Sequence, residues 1–126
     1  MKIGFLYAGQ GSQHVGMGKD LYENYSEFSE VFDNVKLDFD LKTCCFEGPI
    51  EKLSQTKYTQ PCMVAFAVVV TKILANKGIK PEIAAGLSLG EYSALYAAGV
   101  FDEQQVIDLV AYRGKSMEEA VTGRDT

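Results

Sequence analysis

The sequence predicts an α/β fold with a parallel sheet. Two short apolar runs, residues 3–8 and 83–87, have the length and composition of buried strands. Segments with helix-like apolar spacing follow both of them, and strands that alternate with helices are typical of parallel α/β sheets. The 126 residues correspond to one domain, and neither a linker nor an internal repeat divides them.

Helical spacing accounts for most of the chain between the two strands. A glycine-rich loop follows the first strand, and residues 21–37 then have the spacing of one helix or two short ones. Residues 38–58 are mixed in character and rich in turn residues. A buried helix is predicted over 59–77, with Thr59 as its N-cap and Pro61 in its first turn.

Two further helices are predicted after the second strand. One covers 89–98 and is ended by Gly99. Asp102 and Gln105 have the spacing of a capping box, which predicts a last helix over 103–121. Because a parallel sheet normally has more than two strands, we expect the chain to be part of a longer protein.

Charge and cysteine content exclude several classes of protein. Seventeen acidic and twelve basic residues give a net charge of −5, which disfavours nucleic acid and anionic membranes as partners. Cys44, Cys45 and Cys62 form neither a disulfide framework nor a metal half-site, so we interpret them as small apolar core residues in a reducing cytoplasm. The longest apolar run, residues 63–70, is too short to span a membrane. We expect a cytoplasmic protein without a metal site.

The strongest local motif predicts a nucleophilic serine. Residues 86–90, Gly-Leu-Ser-Leu-Gly, match the pattern G-x-S-x-G between a strand and a helix. A sharp turn there lifts the Ser88 hydroxyl out of the sheet, and the helix N-terminus favours developing negative charge. The alternative is that Ser88 only caps the helix.

A second loop is expected beside Ser88. Residues 9–13, Gly-Gln-Gly-Ser-Gln, follow the first strand, and loops at the carboxyl ends of parallel strands share one edge of the sheet. Their N–H groups would complete an oxyanion hole, although an ordinary glycine-rich turn is the alternative. His14, the only histidine, is either a base for Ser88 or a solvated loop side chain.

Arg113 interrupts an apolar helix face that it shares with Val106, Val110 and Met117. A guanidinium in such a place needs an anionic partner, because burying it alone is costly. Its planar fork suits a carboxylate. Two interpretations therefore remain, a clamp for a substrate carboxylate and a structural ion pair.

Taken in order, these motifs resemble the N-terminal part of the bacterial malonyl-CoA:acyl carrier protein transacylases. The resemblance extends over residues 1–121 and rests on GQGSQ at 9–13, GMG at 16–18, TQP at 59–61, GLSLGEYSAL at 86–95 and RG at 113–114. It implies a three-layer α/β/α, hydrolase-like core of parallel strands. Residues 1–126 would be the N-terminal part of the large subdomain, with the family's small ferredoxin-like subdomain lying beyond them.

The resemblance also implies a mechanism. Ser88 attacks the thioester of malonyl-CoA to form a malonyl-serine ester, and the phosphopantetheine thiol of acyl carrier protein then takes the malonyl group. The backbone N–H groups of Gln10 and Leu89 form the oxyanion hole, and Arg113 binds the free malonyl carboxylate. No metal and no cofactor besides the substrates are implied.

Two features differ from the family's pattern. Leu87 stands where the family usually has histidine. Family members are more than twice this long, and their catalytic histidine and its partner lie beyond residue 126, so the isolated chain is expected to be impaired. His14 matches a variable position and is not assigned as the base.

Two rival functions share some of these features. A serine esterase or phospholipase-type hydrolase would use G-x-S-x-G but would not need Arg113. A non-catalytic module that holds CoA or the carrier protein would need no base.

Overall fold

The computed structural model describes residues 2–124, with side chains described as far as Val121. Within these residues the chain forms two strands and seven helices. In chain order they are β1 (Gly4–Tyr7), α1 (Lys19–Asn24), α2 (Ser26–Asn34), α3 (Leu41–Glu47), α4 (Ile50–Leu53), α5 (Thr56–Asn76), β2 (Ile83–Gly86), α6 (Gly90–Ala97) and α7 (Glu103–Arg124).

The two strands pair in parallel, with Gly4 opposite Ile83 and Tyr7 opposite Gly86, which confirms the α/β class and the parallel sheet. The prediction that both strands are buried is wrong for alternate residues. Leu6 is 88% exposed and Ile83 is 72% exposed. The physical reason is that helices of the described residues cover only one face of the sheet, where the Tyr7 hydroxyl bonds Thr71 Oγ1 at 2.6 Å.

The segment after the glycine-rich loop forms two short helices rather than one continuous helix, which was one of the two predicted alternatives. α1 and α2 meet at Tyr25, whose extended backbone (φ −130°, ψ 122°) breaks the helical path. Phe28, Val31 and Phe32 of α2 are buried and direct this helix onto the core.

Residues 38–58, predicted as turn-rich, instead contain α3 and α4. Asp40 caps α3 by accepting a hydrogen bond from the Thr43 N–H at 3.1 Å. Both helices are too short to be stable alone, so they depend on burying Leu41 and Leu53 in the common core. That stabilisation is tertiary, and local spacing gives no signal for it.

The predicted start of α5 is also wrong. The helix begins at Thr56, so Thr59 and Pro61 lie inside it rather than at its cap and first turn. The Thr59 hydroxyl donates a hydrogen bond to the Leu53 carbonyl oxygen. The helix can begin earlier because Glu118 Oε1 of α7 accepts a hydrogen bond from the Lys57 N–H at 2.9 Å.

By length and composition α5 is able to cross a membrane, and it is the one helix of residues 2–124 with that property. Half of its most apolar window is buried inside the domain. It packs against α2, α6 and α7, which is typical of the core helix of a globular domain.

The three cysteines lie together in the core as free thiols. Cys44 and Cys45 of α3 face Cys62 of α5, and all three are buried. Hydrogen bonds with the two neighbouring thiols, together with burial, raise the pKa of the Cys62 thiol. The prediction that these residues are apolar core residues is confirmed.

The last helix begins as the sequence predicts. The Asp102 N–H donates to Gln105 Oε1 at 3.0 Å, and the Gln105 N–H donates to Asp102 Oδ1 at 2.8 Å, which is a reciprocal capping box. Val106, Ile107 and Val110 of α7 are fully buried. The helix therefore carries Arg113 along the face that packs on α5.

Candidate active site

Ser88 lies on a sharp turn between β2 and α6. Its φ of 52° is in the left-handed region, where serine is strained, and no other described non-glycine residue has a positive φ. The side chain is exposed, and α6 has no side-chain cap at its N-terminus. Ser88 therefore does not act as the helix cap, and the turn has the geometry expected for an exposed nucleophile.

The glycines on either side of Ser88 are required by close backbone contacts. A Cβ atom on Gly86 would overlap the Gly90 carbonyl group and lie 2.6 Å from the Glu91 nitrogen. A Cβ atom on Gly90 would overlap the carbonyl oxygen of Tyr7 and lie 2.9 Å from its carbonyl carbon. A side chain on Gly86 would push the start of α6 away from β2, and a side chain on Gly90 would push it away from β1.

The glycine-rich loop meets the Ser88 turn, as the shared edge of parallel strands predicts. The Leu87 N–H donates a hydrogen bond to the Tyr7 carbonyl oxygen at 3.3 Å. A Cβ atom on Gly9 would lie 2.7 Å from the Leu87 carbonyl oxygen. The backbones of the two segments are therefore in direct contact, with Gln10 and Ser88 each one residue beyond it.

Several backbone N–H groups at this contact make no hydrogen bond to any residue the structure describes, and those of Gln10 and Leu89 are among them, together with those of Gly9 and Ser88. The N–H groups that follow Gln10 and Leu89 in the chain are engaged. The Gly11 N–H donates to Gln13 Oε1 at 2.8 Å, and the Gly90 N–H donates to the Leu87 carbonyl oxygen at 2.9 Å. Free donors beside a nucleophile are what an oxyanion hole requires.

The side chain of Gln10 is not part of this group of donors, because it bonds to another residue. Its Nε2 donates to Thr56 Oγ1 at 3.0 Å, which ties the loop to the first turn of α5. A backbone donor gains from such an anchor, because the loop is held in one position before a substrate arrives.

Arg113 is half-buried between α5 and α6. Its Nη1 donates to Gln60 Oε1 at 3.0 Å, and its Cζ lies 5.3 Å from the centre of the Tyr92 ring. Among the side chains described, no carboxylate lies within ion-pair distance of Arg113. Within residues 2–121 Arg113 therefore forms no structural ion pair, and no carboxylate of these residues balances the charge of the guanidinium.

Arg113 and Ser88 are linked through short contacts. Tyr92, which lies under the guanidinium, follows Ser88 by about one turn of α6. On the other side, a Cβ atom on Gly114 would lie 2.9 Å from the carbonyl oxygen of Thr56, the residue that holds Gln10. Arg113 is thus connected to the Ser88 turn through Tyr92, and the N-terminus of α6 follows the serine directly, in a chain whose net charge is −5.

Comparison with known proteins decides the family. A family model described as "Acyl transferase domain" matches residues 4–126. The chain belongs to the acyl transferase domain family. This result agrees with the resemblance seen in the sequence motifs.

Among curated relatives, this acyl transferase domain is 43% identical over 122 residues to the malonyl CoA-acyl carrier protein transacylase of Bacillus subtilis (strain 168). It is 42% identical over 123 residues to the same enzyme of Escherichia coli (strain K12). Each alignment covers 95% of this chain but only 38% and 40%, respectively, of the relative. The chain therefore spans about two-fifths of the length of these relatives.

Solved structures agree with the sequence relatives. The malonyl CoA-acyl carrier protein transacylase of Clostridium perfringens superposes with a TM-score of 0.89 at 43% identity, covering 95% of this chain and 39% of that one. A malonyl-transacylase in complex with a type II polyketide synthase acyl carrier protein superposes with a TM-score of 0.89 at 41% identity, covering 95% and 40%. The parallel α/β fold of the chain therefore matches part of the hydrolase-like fold that the resemblance implies, and in the described residues one of the two helical layers is present.

His14 and Leu87 are the two remaining residues that the sequence brings into consideration at the Ser88 site. His14 is exposed and lines a cavity of about 410 Å³ between β1 and α5, to which Ser88 does not contribute. No hydrogen bond joins the described side chains of His14 and Ser88, and the structure gives no contact that would make His14 the base. Leu87 is 75% exposed next to the serine, where it donates no side-chain hydrogen bond.

Two residues of the site received no role from the sequence. Gln60 belongs to the TQP motif and Tyr92 to the segment after Ser88, and the motifs by themselves assign neither side chain a contact with Arg113. A signal for Gln60 does exist, because an amide within an apolar helix needs a partner. The identity of that partner depends on how α5, α6 and α7 pack.

Among the residues described, no group of three or more histidine, cysteine, aspartate or glutamate side chains has the arrangement of a metal site.

Proposed function

We propose that this acyl transferase domain moves a malonyl group from malonyl-CoA to the phosphopantetheine thiol of acyl carrier protein, in cytoplasmic fatty-acid synthesis. Residues 1–126 would form the N-terminal part of the large, hydrolase-like subdomain. The observations that support this most are an exposed, strained Ser88 and an Arg113 that packs on Tyr92 of the following helix and has no carboxylate partner among the described residues. The relatives' names support the same reaction.

In the proposed reaction, Ser88 Oγ attacks the thioester carbonyl carbon of malonyl-CoA. The Oγ–C bond forms, and the carbonyl oxygen becomes an oxyanion that the N–H groups of Gln10 and Leu89 stabilise. The C–S bond then breaks, the sulfur takes up the proton lost by Ser88, and CoA leaves. In the second half of the reaction the carrier's thiol attacks the carbonyl carbon of the malonyl-serine ester. The new C–S bond forms, the Oγ–C bond breaks, and the thiol proton returns to Ser88.

The base that carries this proton is not among the described residues near Ser88. The resemblance assigns it to a histidine beyond residue 126. The described residues therefore provide the nucleophile, the oxyanion donors and the carboxylate clamp. We expect slow acylation from these groups alone, because oxyanion stabilisation and positioning retain part of the rate enhancement when a triad member is missing.

Replacing Arg113 by alanine should reduce acylation by malonyl-CoA by about 10- to 100-fold, the effect of one or two charge-assisted hydrogen bonds. Acylation by acetyl-CoA should change little, because acetyl has no free carboxylate. The measurement is the initial rate of acyl-enzyme formation with each thioester. Arg113→Lys is the matched control, because it keeps the charge but loses the planar fork of the guanidinium. Its rate of acylation by malonyl-CoA should lie between those of the wild type and Arg113→Ala. Equal loss with both thioesters would contradict the clamp.

Intact-protein mass spectrometry after incubation with malonyl-CoA tests the proposed function directly. One malonyl group per chain should accumulate, and peptide mapping should place it on Ser88. Adding pantetheine should remove the adduct and yield malonyl-pantetheine.

Other outcomes of this experiment would favour one of the two alternative functions, a serine hydrolase or a non-catalytic binding module. Release of free acid from neutral esters, without a lasting adduct, would indicate a hydrolase. Binding of malonyl-CoA that never produces an adduct, even over long incubation, would indicate a non-catalytic module.

A further inference from the structure

Gln60 is a fully buried amide whose orientation is dictated by its two partners. Its Oε1 accepts from Arg113 Nη1 at 3.0 Å, and its Nε2 faces Met117 Sδ at 3.2 Å. A guanidinium has only donors and a thioether sulfur is only an acceptor, so the amide cannot be flipped without losing both contacts. Gln60 therefore always presents its oxygen to Arg113.

The neutrality of Gln60 matters more than its hydrogen bond. A carboxylate of the same size at this position would hold Arg113 equally well, but it would cancel the charge of the guanidinium. The chain has seventeen acidic residues, yet none of those described pairs with Arg113. Glu118, on the same helix as Arg113, is engaged instead by the Lys57 N–H.

The geometry leaves most of the guanidinium available. Tyr92 covers one of its faces and Gln60 uses one of its five N–H groups. Both contacts fix the position of Arg113, and neither brings a negative charge. The remaining N–H groups have no acceptor among the described residues and are available to bind an anion.

We propose that Gln60 is a positioning residue that determines acyl specificity, because it anchors Arg113 through a neutral acceptor and so preserves a full positive charge for a dicarboxylic acyl group. This inference rests on the proposed function, in which Arg113 binds the malonyl carboxylate. It goes further in assigning the preference for malonyl over acetyl to the charge of a residue that does not touch the substrate.

The test is calorimetric titration of malonyl-CoA and of acetyl-CoA into chains that also carry Ser88→Ala, so that no reaction occurs. Gln60→Glu is isosteric and should lower the affinity for malonyl-CoA at least tenfold relative to that for acetyl-CoA. Gln60→Met fills the same space and replaces the amide oxygen by a weak thioether acceptor, and it should weaken malonyl-CoA binding by a smaller factor. Met117→Leu, which alters only the contact at Nε2, should leave the affinity ratio unchanged.

The outcomes separate this inference from the function on which it rests. Arg113→Ala is measured beside the Gln60 variants. If Arg113→Ala removes the preference for malonyl-CoA but Gln60→Glu does not, the role of Gln60 is wrong and the proposed function stands. If Arg113→Ala leaves the preference for malonyl-CoA unchanged, Arg113 does not bind the malonyl carboxylate. The proposed function and the role of Gln60 are then both wrong.

Thermal unfolding distinguishes a specificity effect from damage to the core. A merely structural role for Gln60 would lower the unfolding temperature and weaken both thioesters equally. If Gln60→Glu does not fold, the affinity ratio of Gln60→Met decides, and an unchanged ratio there overturns the inference.

Discussion

Replacing Ser88 by alanine should abolish the malonyl adduct, with a loss of at least about 10³-fold in the rate of acylation, as is typical when a nucleophile is removed. The alanine lacks the oxygen that forms the ester, and no described side chain near the turn replaces it. The fold should survive, because alanine has the same backbone preferences as serine at a φ of 52°. Intact mass and peptide mapping after incubation with malonyl-CoA measure the effect.

Ser12→Ala is the matched control for this experiment. Ser12 is also an exposed serine, and it lies in the glycine-rich loop. Its replacement should leave the adduct in place. A malonyl group that still forms at the wild-type rate on Ser88→Ala protein would show that another residue accepts the acyl group, and the assignment of Ser88 would then be wrong.

Replacing Gly90 by alanine should destabilise the domain by about 3 kcal/mol, the upper end of the usual cost of overpacking, and should prevent acylation of Ser88. The added Cβ atom would overlap the Tyr7 carbonyl oxygen and lie 3.0 Å from that of Ala8. Both atoms belong to the backbone of β1 and its exit, so they cannot move aside as the end of a flexible side chain can. Urea unfolding measures the loss of stability.

Gly4→Ala in the same strand pair is the control. A Cβ atom there would lie 3.8 Å from the Ile83 carbonyl oxygen, which is an ordinary contact. The free energy of unfolding of Gly4→Ala should equal or slightly exceed that of the wild type, because alanine loses less backbone entropy on folding than glycine. If Gly90→Ala were as stable as Gly4→Ala, the close approach of the turn to β1 would not be essential.

Much of the site could be predicted from local pattern and topology. An apolar run that ends in G-x-S-x-G predicts a nucleophile turn, because the strand and the helix leave few ways to place the serine. The meeting of this turn with residues 9–13 follows from parallel pairing, and the contact of Gly9 with Leu87 confirms it. The capping box at Asp102 is also local, since both partners lie within one helical turn.

The errors concern features that depend on distant residues. Thr59 is a good N-cap by residue type, but α5 begins three residues earlier because Glu118 satisfies one of its first N–H groups from α7. The spacing of residues 38–58 does not predict the short helices α3 and α4, because their stability comes from burying Leu41 and Leu53 in the core. Strand burial was overestimated because composition does not show which face of a sheet is covered.

The sequence by itself determined the α/β class, the parallel strand pair, the position of Ser88 on a strand-to-helix turn and the placement of Arg113 on a buried helix face. These are properties of periodicity and of residues close together in the chain. Only the tertiary structure decided that Arg113 is held by Gln60 and Tyr92 rather than by a carboxylate. The physical reason is that the partners of a half-buried side chain are its neighbours in space rather than in sequence, and here they come from α5 and α6.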